Sequence, residues 1–158
     1  MSTGYQQFTN IGDLPRLVAG LAARTLVLDI EPLVAFWDGS QEALDRGIGA
    51  ALDLVVGVPG VQAVCFATNS ARQPSALPRV PGIEVIYLTT ARKPMSIAPY
   101  RRLPAPGVVV GDQVMTDGLL ARRLGYYFLH YRHPQPGPVG PRLLDGLGLL
   151  ARPLIFRH

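Results

Sequence analysis

Two short apolar runs, each ending in an aspartate, constrain the fold of this chain most strongly. One run, Val108–Gly111, is followed by Asp112, and the other, Thr25–Leu28, is followed by Asp29. Runs of β-branched and aliphatic residues of this length predict buried strands of a parallel sheet. In an open α/β sheet, the carboxyl ends of strands form the ligand crevice where the strand order reverses. Two aspartates at that edge can hold a hard divalent cation such as Mg2+.

Strand-like and helix-like segments alternate along the rest of the chain. This alternation predicts parallel βαβ units and therefore an α/β fold, a Rossmann-like doubly wound parallel sheet of about five strands. Ser40 is expected to cap the first helix, and Gly125 to end the third. The predicted strands are 25–30, 61–67, 83–88, 107–111 and 126–131, and the predicted helices are 41–56, 95–102 and 116–124.

Length and composition predict one globular domain over residues 1–158. The chain is 48% hydrophobic and 16% charged, which is typical of a domain with a real core. We place the core at about 14–132, followed by a Pro/Gly-rich loop at 133–141 and a C-terminal segment at 142–158. Leu143–Leu150 is expected to form a terminal helix on the core, with a membrane-surface or dimer contact as the alternative.

The composition also argues against several classes of protein. The apolar runs are much shorter than the roughly 20 residues of a membrane helix, and the N-terminus lacks the pattern of a secretion signal. Cys65 is the single cysteine and is expected to be a small buried hydrophobe. The net charge of +4 comes without a basic cluster interleaved with aromatics, so no nucleic-acid partner is expected. We therefore expect a cytoplasmic protein, and the sequence leaves its oligomeric state open.

Further polar residues follow the predicted strands. Thr68 and Asn69 end the second strand, where a hydroxyl and an amide can donate hydrogen bonds to a phosphoryl oxygen, although such residues also make turns. Lys93 is the one lysine beside fourteen arginines. A compact ammonium cannot always be replaced by a planar guanidinium, so this lysine is a candidate phosphate ligand. A solvated surface lysine is the alternative. Asp117 adds a second carboxylate five positions after Asp112.

In their order along the chain, these residues resemble the four motifs of the haloacid dehalogenase (HAD) phosphatases. The segments 91–94 and 111–117 look in particular like the YqeG group of small HAD phosphatases, which are similar to mitochondrial phosphatidylglycerophosphate phosphatases. The resemblance covers roughly residues 14–132. The matching segments are Asp29-x-Glu31, Thr68-Asn69, Ala91-Arg-Lys-Pro94 and Gly111-Asp-Gln-Val-Met-Thr-Asp117.

The resemblance implies a phosphatase chemistry for these positions. Asp29 would be the nucleophile that forms an aspartyl-phosphate with a phosphate monoester, and Glu31 would be the acid–base partner. Three residues, Thr68, Asn69 and Lys93, would bind the transferring phosphoryl group.

The same resemblance implies a Mg2+ site and a type of substrate. The ion would be held by Asp29, the backbone carbonyl of Glu31 and Asp112, while Asp117 would bind through water or orient the ligands. The implied substrate is a phosphorylated molecule, for which the lipid headgroup of phosphatidylglycerophosphate is the candidate. A peripheral membrane contact would accompany a lipid-linked substrate.

The first motif departs from the family pattern of Asp-x-Asp-x-Thr. This chain has Glu31 at the second acidic position and Leu33 in place of the threonine. Glu31 is one methylene longer, and a displacement on the order of 1 Å can cost about a hundredfold in rate. Two functions therefore stay open: an active Mg2+-dependent phosphatase, and a catalytically impaired HAD-like module that acts as a binding or scaffold protein.

Smaller features complete the expectation. No cap domain is predicted, because the stretch from Glu31 to Thr68 is occupied by one helix and the next by a short strand, so the site should be open. Asp38 is either a substitute acid or a turn carboxylate. His130 and His133 are expected to be loop histidines rather than metal ligands.

Overall fold

A computed structural model describes residues 4–134 and 139–156. In this part of the chain, six strands form one sheet, and every strand pair is parallel. The strands are β1 (Tyr5–Phe8), β2 (Thr25–Asp29), β3 (Ala63–Ala67), β4 (Glu84–Leu88), β5 (Gly107–Gly111) and β6 (Tyr127–Tyr131). The helices are α1 (Leu14–Gly20), α2 (Gln41–Val56), α3 (Leu119–Leu124) and α4 (Val139–Ile155).

The strand order is β1-β6-β5-β2-β3-β4. The chain moves outward from β2 through β3 to β4 and then returns to place β5 on the other side of β2. The order therefore reverses between β2 and β5, where a doubly wound sheet forms its ligand crevice. The register brings the strand ends level, since Asp29 pairs with Ala67 of β3 and Leu28 pairs with Val110 of β5.

Two cores lie on opposite faces of the sheet because alternate side chains of a strand point to opposite sides. Leu26 and Leu28 of β2 pack with α1 and α2, whereas Val27 faces α3, the end of α4 and the segment around Tyr100. All five side chains of β2, β3 and β5 are buried. The predicted doubly wound α/β fold is confirmed. Among the described residues, no helix has the length and apolarity needed to cross a bilayer.

The five predicted strands are found within two residues of their expected bounds. Helix α2 matches its prediction, and the Ser40 side chain accepts a hydrogen bond from the Ala43 backbone as a cap. Gly125 ends α3 in the left-handed conformation at φ 71°, which glycine adopts without strain. Cys65 is 1% exposed, as expected for a buried hydrophobe.

The helix predicted at 95–102 is wrong. Only a short 3-10 turn, Ala98–Tyr100, is present there. Two prolines, Pro94 and Pro99, explain the difference, because each lacks the backbone donor that a helix interior requires. The segment is pinned instead by Tyr100, which is fully buried.

The two ends of the chain hold more structure than predicted. The strand β1 and the helix α1 were not expected. The two central residues of β1 are glutamines and the strand lies at the edge of the sheet, so it has no apolar run that would predict it. Helix α4 is longer than the predicted Leu143–Leu150, and it begins inside the predicted loop 133–141. Residues 135–138 of that loop lie outside the described residues.

Candidate functional site

The predicted site residues meet at the carboxyl ends of the central strands. Asp29 ends β2, Thr68 follows β3, and Asp112 follows β5. Asp29 and Thr68 line a pocket of about 370 Å³ that is open to solvent on one side, and Asp112 precedes Gln113, which also lines it. Its lining consists of Asp29, Glu31, Trp37, Thr68, Asn69, Ser70, Arg72, Lys93, Gln113 and Thr116.

Three carboxylates cluster at these strand ends, and we call them the carboxylate floor; of the three, Asp29 lines the pocket. Asp29, Asp112 and Asp117 each place an oxygen within 4.8 Å of the others. Oδ1 of Asp112 is buried and has no hydrogen-bond partner among the described residues. A buried carboxylate oxygen normally has a partner, because desolvating it alone is costly. An orphaned oxygen beside two further carboxylates fits a hard, oxygen-seeking cation such as Mg2+.

Lys93 lies between two of these carboxylates. Its Nζ is 2.5 Å from Oδ1 of Asp29 and 2.7 Å from Oδ1 of Asp117. Burial alone would lower the pKa of Lys93, but the charges of Asp117 and Asp29 outweigh it and raise that pKa above its ordinary value. The lysine is 6% exposed and is therefore no solvated surface residue. Its binding to phosphate stays a prediction.

The three carboxylates outnumber the one ammonium group between them, and the pKa values of two of these acids are raised. Burial, followed by repulsion from Asp117, raises the pKa of Asp29 to about 7, although Lys93 opposes this rise. The pKa of Asp112 is raised to about 8 by burial and then by the charges of Asp117 and Asp29. A bound divalent cation would stabilise both ionised forms and would lower both pKa values.

Asn69 fixes the position of Lys93. Its side-chain amide donates to the backbone carbonyl of Lys93 at 3.1 Å, and its side-chain oxygen accepts from the Lys93 backbone N–H at 2.7 Å. This two-point contact ties the end of β3 to the lysine loop. The Asn69 side chain thus positions Lys93, while its predicted phosphate binding stays a prediction.

Glu31 is held by donors on the opposite wall of the pocket. Thr68 Oγ1 lies 2.8 Å from Oε2, and Ser70 Oγ lies 3.3 Å from Oε1. The Arg72 guanidinium contacts Oε1 at 3.4 Å and also donates to the backbone carbonyls of Phe36 (2.7 Å) and Gly39 (2.9 Å). Arg72 therefore ties Glu31 to the 36–39 loop.

Sequence reasoning missed Ser70, Arg72, Trp37, Gln113 and Thr116 as parts of the pocket. Ser70 and Arg72 come two and four positions after Thr68, and alternate residues of an extended chain point to the same side. That spacing was the available signal, but the partner of Arg72 lies 41 residues away.

The expectation that His130 is a loop histidine is wrong. His130 lies in β6, is fully buried, and hydrogen-bonds through Nδ1 to the Tyr5 hydroxyl and through Nε2 to the backbone carbonyl of Asp112. It is therefore placed to fix the turn that carries Asp112. His133 follows β6 and makes an edge contact with the Phe36 ring at 4.9 Å. Neither histidine is in the acidic cluster found among the described residues.

Two smaller points complete the geometry. Asp38 is exposed on the turn after Phe36 and does not line the pocket. Gly111 is required by close packing, because a Cβ at this position would lie 2.3 Å from Oδ2 of Asp117. The glycine before Asp112 therefore lets the two motif carboxylates approach each other.

Comparisons with protein-family models, with curated proteins and with solved structures found no match to this chain. They identify no family, so the function must be argued from the site itself.

Proposed function

We propose that this protein is a Mg2+-dependent phosphate monoester hydrolase that acts through Asp29. The observation that carries the proposal is an open pocket lined by Asp29, whose carboxylate clusters with those of Asp112 and Asp117, together with the orphaned buried oxygen of Asp112. Such a floor suits a divalent cation, and the hydroxyl and ammonium groups around it suit a phosphoryl group. The order of these residues resembles the four HAD motifs, which supports the same assignment.

Asp29 is the nucleophile in this proposal. Within the described residues, Oδ1 accepts both hydrogen bonds made to this carboxylate, from Lys93 and from the backbone N–H of Ile30. Oδ2 is thus the oxygen left to attack phosphorus, forming an aspartyl-phosphate as the bond to the leaving alcohol breaks. Water then attacks the phosphorus, releases inorganic phosphate and restores the carboxylate.

The remaining groups bind and neutralise charge. Asp29, Asp112 and the backbone carbonyl of Glu31 would hold Mg2+, with Asp117 as a direct or water-mediated ligand. The ion would offset the repulsion between nucleophile and substrate. Lys93 supplies a fixed positive charge beside Asp29, and the backbone N–H of Asn69, together with the Thr68 hydroxyl turned away from Glu31, would donate to phosphoryl oxygens.

The contacts of Glu31 favour a second candidate function. Both of its carboxylate oxygens already accept from donors on this wall of the pocket, namely Thr68, Ser70 and Arg72. A general acid must instead carry a proton to the leaving alcohol. This observation favours a catalytically impaired module that binds Mg2+ and a phosphorylated partner without rapid turnover.

The proposed substrate is a large or surface-bound phosphate ester, since the pocket is shallow and no second domain covers it among the described residues. Within this class, the resemblance to the YqeG group points to a lipid headgroup such as that of phosphatidylglycerophosphate.

Phosphate release from an aryl phosphate and from phosphatidylglycerophosphate, with and without Mg2+, tests the proposal. We expect Mg2+-dependent release by the parent protein and its loss in Asp29→Asn. Asp38→Asn is the matched control, because this carboxylate is exposed outside the pocket. Activity that survives Asp29→Asn would refute the nucleophile. A silent parent with an active Glu31→Asp variant would instead establish the impaired module.

A further inference from the structure

Helix α4 exposes a row of leucines to solvent. Leu147, Leu150 and Leu154 are 59%, 80% and 65% exposed, and we call these three residues the leucine stripe. Their spacing of three and four positions places them on one face of the helix. Large apolar side chains grouped in this way mark a contact surface more often than isolated exposed leucines do.

The opposite face of α4 fixes the orientation of the stripe. Gly148 is buried, and a Cβ there would lie 2.8 Å from the Cβ of Val114, so the helix backbone packs directly on the 114–118 turn. Phe156, just after the helix, stacks on Phe128 with ring centroids 5.8 Å apart. The helix is anchored along this inner side, and the leucine stripe therefore points away from the core.

Positive charge accumulates in the same part of the chain. Residues 118–158 contain six arginines and one aspartate, while residues 1–117 contain nine basic and ten acidic side chains. The whole net positive charge thus belongs to the C-terminal quarter. Arg122 donates to the backbone carbonyl of Leu154 at 3.0 Å, next to the stripe, whereas exposed Arg152 lies on another side of α4, where its guanidinium is 5.2 Å from the centre of the Tyr5 ring.

We propose that the leucine stripe and its neighbouring arginines dock α4 on an anionic lipid bilayer. A helix with an exposed row of leucines in a positively charged part of the chain lies in the interfacial plane, with its apolar side chains in the acyl boundary and nearby positive charge at the headgroups. A second copy fits this surface less well, because a twofold contact would oppose the same arginines across the interface.

The docking surface adjoins the pocket through one shared element. The 114–118 turn packs under α4, and its Thr116 lines the pocket. The turn therefore connects the proposed docking helix to the pocket.

Vesicle flotation tests the docking without any measurement of turnover. The probes are vesicles of phosphatidylcholine alone and of phosphatidylcholine mixed with phosphatidylserine, which carries no phosphate monoester. We expect binding to the mixed vesicles only, and its loss by tenfold or more at about 0.5 M salt, where charges are screened within a few ångströms. The outcome is independent of whether the pocket hydrolyses phosphate esters.

The variant Leu147→Ser/Leu150→Ser/Leu154→Ser should bind the mixed vesicles at least tenfold more weakly while keeping its circular dichroism. Val56→Ser is the matched control, since Val56 is 48% exposed at the end of α2 on the other face of the sheet. Equal binding by parent and triple variant, or a parent that fails to float, would overturn the proposal. A parent dimer in sedimentation that the triple variant loses would assign the stripe to a second copy instead.

Discussion

Replacing Asp112 with asparagine should stabilise the protein without metal and abolish its response to Mg2+. The folded-state pKa of Asp112 is raised from 3.8 to about 8, chiefly by burial. Because the folded state binds this proton more tightly than the unfolded state, ionisation destabilises the fold as pH rises. The stability that the protonated Asp112 carboxyl contributes is therefore fully present below pH ~4 and is lost progressively as the pH rises to ~8.

The size of the effect follows from the same shift. About four pH units at about 1.4 kcal/mol each give a ceiling of roughly 6 kcal/mol above pH 8. Rearrangement of the neighbouring side chains reduces this ceiling, so we expect a gain of about 2 kcal/mol at pH 8. For a domain of this size, that gain corresponds to roughly 4–8 °C in Tm. At pH 5 the carboxyl is neutral in the folded state but already ionised in the unfolded state, so the gain should fall to about a third of its value at pH 8.

Thermal unfolding in a chelator at pH 5 and pH 8, followed by a Mg2+ titration at pH 8, measures both effects. Mg2+ that binds only the folded parent stabilises it in proportion to the logarithm of its concentration. The variant should show no such rise. Asp53→Asn provides the control, because it makes the same chemical change on the exposed face of α2.

Three results would refute this reasoning. A less stable Asp112→Asn protein at pH 8 would mean that the carboxylate is not strained. A gain as large at pH 5 as at pH 8 would exclude ionisation as its cause. Retained stabilisation by Mg2+ would remove Asp112 from the metal site.

Other substitutions test the packing and charges of the same region. Gly47→Ala should lower the free energy of unfolding by about 2 kcal/mol in chemical denaturation, because its Cβ would lie 2.0 Å from the carbonyl oxygen of Val34. Gly49→Ala should raise that free energy by about 0.5–1 kcal/mol, because a Cβ there has no neighbour within 4 Å and alanine favours the helix. Equal effects of the two would contradict this packing. Lys93→Met should lower the free energy of unfolding at pH 8 by about 3–5 kcal/mol, since it leaves two buried carboxylates without their counter-charge. If urea unfolding shows no change, the ammonium is dispensable for stability. Cys65, with a pKa raised to about 12 by burial, should react with a thiol reagent only as the protein unfolds, and rapid reaction of the native protein at pH 8 would contradict its burial.

The sequence predicted the strand ends well for a simple physical reason. Strands buried on both faces must be apolar throughout, so the first polar residue after Val110 or Leu28 marks the sheet edge. Parallel connectivity then places those ends together. Asp29, Thr68 and Asp112 each occupy such a position.

The contacts among the site residues were not predictable in the same way. Arg72 reaches Glu31, and His130 reaches the Asp112 carbonyl, through pairings set by loop shape rather than by periodicity. The edge strand β1 contains polar residues because much of it faces solvent, so no apolar run predicts it. The failed helix at 95–102 shows that apolar spacing alone does not outweigh Pro99.

The Lys93 ammonium bridge also bears on how the protein folds. It joins the end of β2 to a lysine 64 residues later and to the turn after β5, so its three residues come from three separate segments of the chain. Contacts of such high sequence separation form only after the intervening loops have closed. No folding intermediate that lacks β5 can assemble the carboxylate floor. Metal affinity during refolding would therefore report completion of the whole sheet rather than of any local segment.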